Sequence, residues 1–63
     1  MNIKAKNSTL IFDTKCVEFE IKKDIAYIDY YESSEFLYQL ECPVSQANKI
    51  FKQCILEGYN ESF

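Results

Sequence analysis

The most reactive side chains in this sequence are three cysteine thiols, at Cys16, Cys42 and Cys54. A nucleophilic or redox-active cysteine needs a base or a positive charge beside it to stabilise the thiolate, and the chain contains no histidine to act as that base. Cys54 falls on an apolar helical stripe and Cys42 continues an inward strand alternation, so both are interpreted as packing residues. Cys16, beside Lys15 at a predicted turn, is the more open case.

The cysteines also lack the spacing of a disulfide framework or a metal site. Their number is odd and no pair has the CxxC spacing. A zinc site without histidine would need cysteines combined with carboxylates, which is an uncommon structural set. The single glycine rules out a glycine-rich phosphate loop. We therefore expect no catalytic residue, no metal and no cofactor.

Several carboxylates are candidates for a general acid–base pair, which requires a shaped and partly dry pocket. They fall on outward strand positions or in loops, and a chain of 63 residues has little volume for a substrate cleft. The sequence therefore predicts a solvated acidic face and a protein that is not an enzyme. The carboxylates concerned are Glu18, Glu20, Asp29, Glu32, Glu35 and Glu41.

Direct binding of nucleic acid is not expected. The tyrosines could resemble a base-stacking platform, but acidic residues stand between them where lysine and arginine would be needed. Arginine is absent and the net charge is −3. The tyrosines concerned are Tyr27, Tyr30, Tyr31 and Tyr38.

The length predicts a single domain over residues 1–63. The first residues lack the apolar core of a signal peptide, and no uncharged stretch is long enough to span a bilayer. We therefore expect reduced thiols, a cytoplasmic location and no membrane partner. A core this small has a thin stability margin, and self-association is the remaining common means of strengthening it.

The clearest structural signal is a strand from Cys16 to Lys22, in which apolar and charged residues alternate. A second strand spans residues 25–31. An even loop around Lys23-Asp24 pairs Val17 with Tyr30 and buries apolar residues on one face, whereas a three-residue loop would bury Asp29 opposite Val17. A four-residue loop is expected, because the Asn-Gly or Asp-Gly of a two-residue turn is missing.

Two further strands and a helix complete the expected order β-β-β-β-α, an α+β fold. The third long strand covers residues 36–42 after a polar break, and a less regular one lies in residues 8–13, with residues 1–7 extending it or fraying. Pro43 ends the meander, an amphipathic helix follows from Val44, and Gly58 is its natural end. Residues 60–63 are expected to be a tail. An antiparallel meander of three to four strands would thus pack one face on the helix.

The inward face of this meander can be assigned by alternation. The predicted inward strand residues are Leu10, Phe12, Val17, Phe19, Ile21, Ala26, Ile28, Tyr30, Phe36, Tyr38 and Leu40. The helix would cover them with Ala47, Ile50, Phe51, Cys54 and Ile55.

The same assignment leaves Ile25, Tyr27, Tyr31 and Leu37 on the outer face, as a patch bordered by carboxylates. Clustered exposed apolar residues usually mark an interface, and tyrosine is enriched in interfaces, although the N-terminal segment could instead fold over this face. The leading hypothesis is a small non-enzymatic protein-interaction module, either a homodimer or the small partner of a larger protein. The alternative is a small acidic inhibitor that blocks a basic, nucleic-acid-binding partner.

Overall fold

The computed structural model of the chain describes residues 5–62 and confirms the α+β class. The described residues form one antiparallel sheet and one helix, with strand order β4-β3-β2-β1-β5. The elements are β1 (Ser8–Phe12), β2 (Lys15–Lys22), β3 (Ile25–Glu32), β4 (Glu35–Pro43), α1 (Val44–Glu57) and β5 (Asn60–Ser62).

The β2–β3 hairpin has the register that the sequence predicts. Phe19 pairs with Ile28 and Val17 with Tyr30, so the apolar residues share one face. The loop is the two-residue Lys23-Asp24 turn and not the expected four-residue loop. Lys23 has φ 56°, and a positive φ at the first central position of a tight turn matches the twist of the two strands.

The β3–β4 hairpin contains a β-bulge at Leu37, and the prediction that Phe36 faces the helix is wrong. Tyr31 pairs with Phe36 but Tyr30 pairs with Tyr38, which leaves Leu37 as the extra residue. Because Phe36 is paired with Tyr31, it lies on the outer face of the sheet. The residues after the bulge keep their predicted inward position, since Leu40 pairs with the buried Ile28.

The helix α1 packs on the inner face of the sheet. It begins after Pro43, which has an extended conformation, and the Val44 N–H donates to the Asp24 carbonyl at 3.1 Å, tying the helix start to the β2–β3 turn. Phe51 meets Phe19 edge-on at 5.2 Å between ring centroids. The buried residues of the hydrophobic core are Leu10, Val17, Phe19, Ala26, Ile28, Ala47, Phe51 and Cys54.

The helix ends in a Schellman motif that returns the chain to the sheet. Gly58 has φ 113°, its N–H donates to the Ile55 carbonyl, and the Tyr59 N–H donates to the Cys54 carbonyl. Tyr59 then packs edge-on against Phe12 at 5.5 Å.

The chain end expected to be a tail instead forms strand β5. Thr9 pairs with Ser62 and Ile11 with Asn60, and the Lys6 ammonium lies 3.3 Å from the Glu61 carboxylate. Backbone pairing with β1 therefore holds three polar residues in place. Residue 63 lies outside the described residues.

The segment before β1 does not extend that strand over residues 5–7. The Ala5 N–H donates to Asn48 Oδ1 on the helix at 2.6 Å, and the Asn7 side chain accepts from the Ile21 N–H. These bonds attach residues 5–7 to the helix and to β2. Residues 1–4, included in the expectation of an extended or frayed start, lie outside the described part of the chain.

Candidate protein-interaction surface

A polar row of residues divides the outer face of the sheet. Glu18 lies opposite Asp29, and Asp29 lies opposite Gln39. The Gln39 amide donates to Asp29 Oδ1 at 2.8 Å, so the Asp29 carboxylate has a hydrogen-bond donor. This row lies between Ile25 and Tyr27 on one side and Tyr31 on the other, and the fourth residue of the predicted outer patch, Leu37, lies on the helix side of the sheet.

On one side of the polar row lie Ile25 and Tyr27, close to the β2–β3 turn. The Lys22 ammonium sits 5.5 Å from the centroid of the Tyr27 ring, within the range of a cation–π contact. Both side chains are half-buried, as is that of Tyr31 on the other side of the row. This part of the predicted patch is thus partly covered by the chain itself.

On the other side, Tyr31 belongs to an apolar row that crosses four strands. Ile11 pairs with Cys16, Cys16 with Tyr31, and Tyr31 with Phe36. The rings of Tyr31 and Phe36 are 5.6 Å apart in an edge-on arrangement. Phe36 is 53% exposed and Ile11 40%. The sequence prediction missed Ile11, Cys16 and Phe36 as members of this row.

Two of these residues, Ile11 and Cys16, follow from the length of the β1–β2 turn. Once Asp13-Thr14 is taken as a two-residue connection, Ile11 must lie opposite Cys16. Phe36 was missed because unbroken alternation placed it inside, and only the bulge at Leu37 moves it to the outer face.

Leu37 lines a depression on the helix side of the sheet. Its neighbours there include Val17, Tyr30 and Tyr59, around a volume of about 120 Å³. Tyr30 stacks on Tyr38 with 4.6 Å between centroids. Burial, followed by the neighbouring Tyr38 phenol, raises the pKa of Tyr30 to about 12. Leu37 is 54% exposed, so it extends the exposed apolar surface around the β4 edge.

We call the end of the sheet formed by the β1–β2 and β3–β4 turns the double-turn end. The Ser33 N–H donates to the Thr14 carbonyl at 2.8 Å, and the Thr14 hydroxyl donates to the Glu32 carboxylate. These bonds hold the two turns side by side. An open depression of about 650 Å³ lies between them, lined by Ile11, Asp13, Thr14, Lys15, Cys16, Glu18, Tyr31, Ser33 and Ser34.

Comparison with known proteins adds no relative. No family model, curated protein or solved structure matches this chain. The function is therefore inferred from the chemistry of the surface residues.

The thiol in the depression has the electrostatics of a weak nucleophile. Burial and then the Glu18 carboxylate raise the pKa of Cys16, which lowers the thiolate fraction at neutral pH. Burial also raises the pKa of Cys42 and of Cys54. All three cysteines are free thiols, and their environments favour packing over reactivity.

Neither a metal-binding cluster nor a membrane-spanning helix is present in residues 5–62. This part of the chain contains no group of three or more cysteine or acidic side chains placed to hold a metal ion. Within the same residues, the helix is too short and too polar to cross a membrane.

Proposed function

We propose that this chain is a non-enzymatic protein-interaction module that binds a larger, basic protein through the outer face at the double-turn end. The observation that carries the proposal is the gathering of exposed apolar side chains at that end. Among residues 5–62, five of the six large apolar side chains that stand out as exposed lie there. Ile11 and Phe36 lie on the outer face, in the row that contains Tyr31, and Phe12, Leu37 and Tyr38 lie on the helix side of the same end. Scattered exposed apolar residues are ordinary, whereas several gathered at one end of a sheet mark an interface.

The charge of the β3–β4 hairpin indicates a basic partner. Residues 25–43 contain four carboxylates and no lysine or arginine, so they carry −4, and the rest of the chain carries +1 to give the net −3. Three of these carboxylates, on Glu32, Glu35 and Asp29, are close to the apolar row or to the turn that ends it. Complementary charge speeds association and selects the partner.

The same charge distribution disfavours the homodimer that the sequence suggested. Two copies meeting through this surface would bring two hairpins of −4 together, and like-charge contact opposes association. A larger partner also accounts for an exposed apolar surface on so small a domain. We place this module in the cytoplasm, where reducing conditions keep its three thiols free.

The test compares paired serine variants on either side of the polar row. The double variant Tyr31→Ser/Phe36→Ser removes the centre of the apolar row. The double variant Ile25→Ser/Tyr27→Ser, with both changes on β3, is the matched control. The proposal expects the first pair to abolish capture of a basic protein from the native host, with the second pair retaining it. Light scattering should find the isolated chain monomeric. A dimer that Phe36→Ser dissociates would contradict the proposal and restore self-association.

A second candidate function is inhibition of a nucleic-acid-binding protein. The observation favouring it is the direct opposition of Glu18 and Asp29, with Glu20 and Glu41 flanking Tyr27 in the next row of the same face. Rows of carboxylates can occupy a groove that normally holds phosphates. In that case the captured partner would release a bound oligonucleotide when the module is added, with a steep dependence on salt. Simultaneous binding of oligonucleotide and module would exclude this candidate.

A further inference from the structure

The two edges of the sheet are finished differently. On one side, the edge strand is β5, which has only three residues and pairs with Thr9–Ile11 of β1. On the other side, the nine-residue β4 has no strand beyond it within residues 5–62. A free edge presents unpaired N–H and C=O groups that can accept another strand.

The edge of β4 has few of the features that normally prevent pairing with a strand of another chain. Natural edges are commonly protected by lysine, by bulges and by proline. Here β4 contains no lysine. The bulge at Leu37 interrupts only its start and Pro43 closes its end. A regular stretch from Tyr38 to Cys42 lies between them, with each residue paired in unbroken register to β3.

We propose that β4 accepts an extended, basic segment of the partner as an additional strand along Tyr38–Cys42, an inference that rests on the proposed function. Main-chain hydrogen bonds would supply affinity, and alternate side chains would supply specificity. Tyr38 and Leu40 lie on the helix side of the sheet, whereas Gln39 and Glu41 lie on the outer face. The incoming strand therefore alternates an apolar residue beside Tyr38 and Leu40 with a lysine or arginine beside Glu41.

A second copy of β4 is the less favourable occupant. Pairing β4 with itself brings together two hairpins that each carry −4 without a lysine between them, and repulsion between surfaces of like net charge opposes association. A basic segment removes this repulsion.

The probe is a capped synthetic hexapeptide, Lys-Val-Lys-Ile-Lys-Val, added to the intact chain labelled for NMR. We expect saturable binding, with chemical-shift changes and slowed amide exchange within Tyr38–Cys42. A fully N-methylated peptide, which keeps the charges but cannot form a ladder, should bind roughly tenfold more weakly or worse. A peptide with glutamate in place of lysine should also bind more weakly, and the Glu41→Lys variant should reverse the order of the two charged peptides.

The outcomes separate this inference from the proposed function. Equal binding of the N-methylated peptide, no binding of the lysine peptide, or protection confined to β1 and β5 would overturn strand addition. If partner capture still depends on Tyr31 and Phe36 in that case, the proposed function stands. If capture is indifferent to those two residues while the peptide binds β4, the proposed function fails and the edge site remains.

Discussion

The Phe36 ring meets the Tyr31 ring edge-on across the β3–β4 pair, with 5.6 Å between their centroids. This contact depends on the bulge at Leu37, which allows Phe36 to face outward while Tyr38 and Leu40 face the helix side. The contact forms the centre of the surface proposed to bind a partner. Because Leu37 is accommodated as a bulge, β4 keeps Phe36 on the outer face and Tyr38 and Leu40 on the helix side.

Deleting Leu37 should be tolerated, because removal of the extra residue leaves Phe36 opposite Tyr31 and Tyr38 opposite Tyr30. We expect the free energy of unfolding to change by no more than about 1 kcal/mol, since no downstream side chain changes face. Urea denaturation followed by circular dichroism measures the effect. Deleting the exposed Glu20 from the regular strand β2 is the control, and it should prevent folding. Unfolding of the Leu37 deletion would contradict the assignment of the bulge.

The two hairpins show how far burial alone determines register. For β2–β3, keeping Asp29 out of the core was enough to predict every pair. The same rule applies to β3–β4 once the two-residue Ser33-Ser34 turn is known. Regular pairing from that turn would set Gln39 opposite Ile28 and Glu41 opposite Ala26, inside the sheet. The bulge avoids this burial.

The turn length itself was not evident from the sequence. Ser33 and Ser34 both have positive φ, 52° and 68°, as in a type I′ turn, where asparagine and glycine are the usual residues. The predicted polar break was therefore two residues too long. Phe36 was assigned to the wrong face for a separate reason, because unbroken alternation back from Leu40 ignores the bulge at Leu37. Strand β5 was missed for a different reason. Its Asn-Glu-Ser sequence has no apolar pattern, and backbone pairing with β1 after the Schellman turn makes it a strand.

Replacing Gly58 with alanine should destabilise the fold by roughly 1–2 kcal/mol, because φ 113° is unfavourable for any residue with a Cβ. The nearest atom to an added Cβ is on the Phe12 ring at 3.9 Å, so the cost comes from backbone strain and not from a clash. Denaturant titration measures it. Lys52→Ala, at an exposed site on the same helix, should change stability by less than about 0.5 kcal/mol. Equal stability of the two variants would exclude a strained helix end.

Glu18→Gln should raise stability and weaken binding of a basic partner. The substitution removes a like-charge pair with Asp29 and should stabilise the sheet by roughly 0.2–1 kcal/mol. Thermal or chemical unfolding gives the first effect, and the salt-dependent dissociation constant gives the second. Glu20→Gln is the matched control, because Glu20 lies opposite Tyr27 and has Lys22 at 3.6 Å. Lower stability of Glu18→Gln would contradict the repulsion assigned to this pair.

The same variant should make Cys16 more reactive. Burial and the Glu18 carboxylate both raise the pKa of the Cys16 thiol, so removing the carboxylate lowers that pKa and increases the thiolate fraction at a fixed pH below it. Alkylation by iodoacetamide at a mildly alkaline pH, followed by mass spectrometry, should therefore be faster at Cys16. Cys54, whose pKa is raised by burial and by Glu57, is the internal control. An unchanged rate at Cys16 would place Glu18 too far away to act on it.

The most direct test of the proposed surface is site-specific photo-crosslinking in the native host. A benzophenone amino acid replaces Phe36 in one version and Tyr27 in the other, which places the same group on either side of the polar row. We expect a saturable crosslink from position 36 to one basic protein, lost on adding excess unlabelled chain and absent from position 27. A crosslink from position 27 alone, or from position 36 to a second copy of the chain, would contradict it.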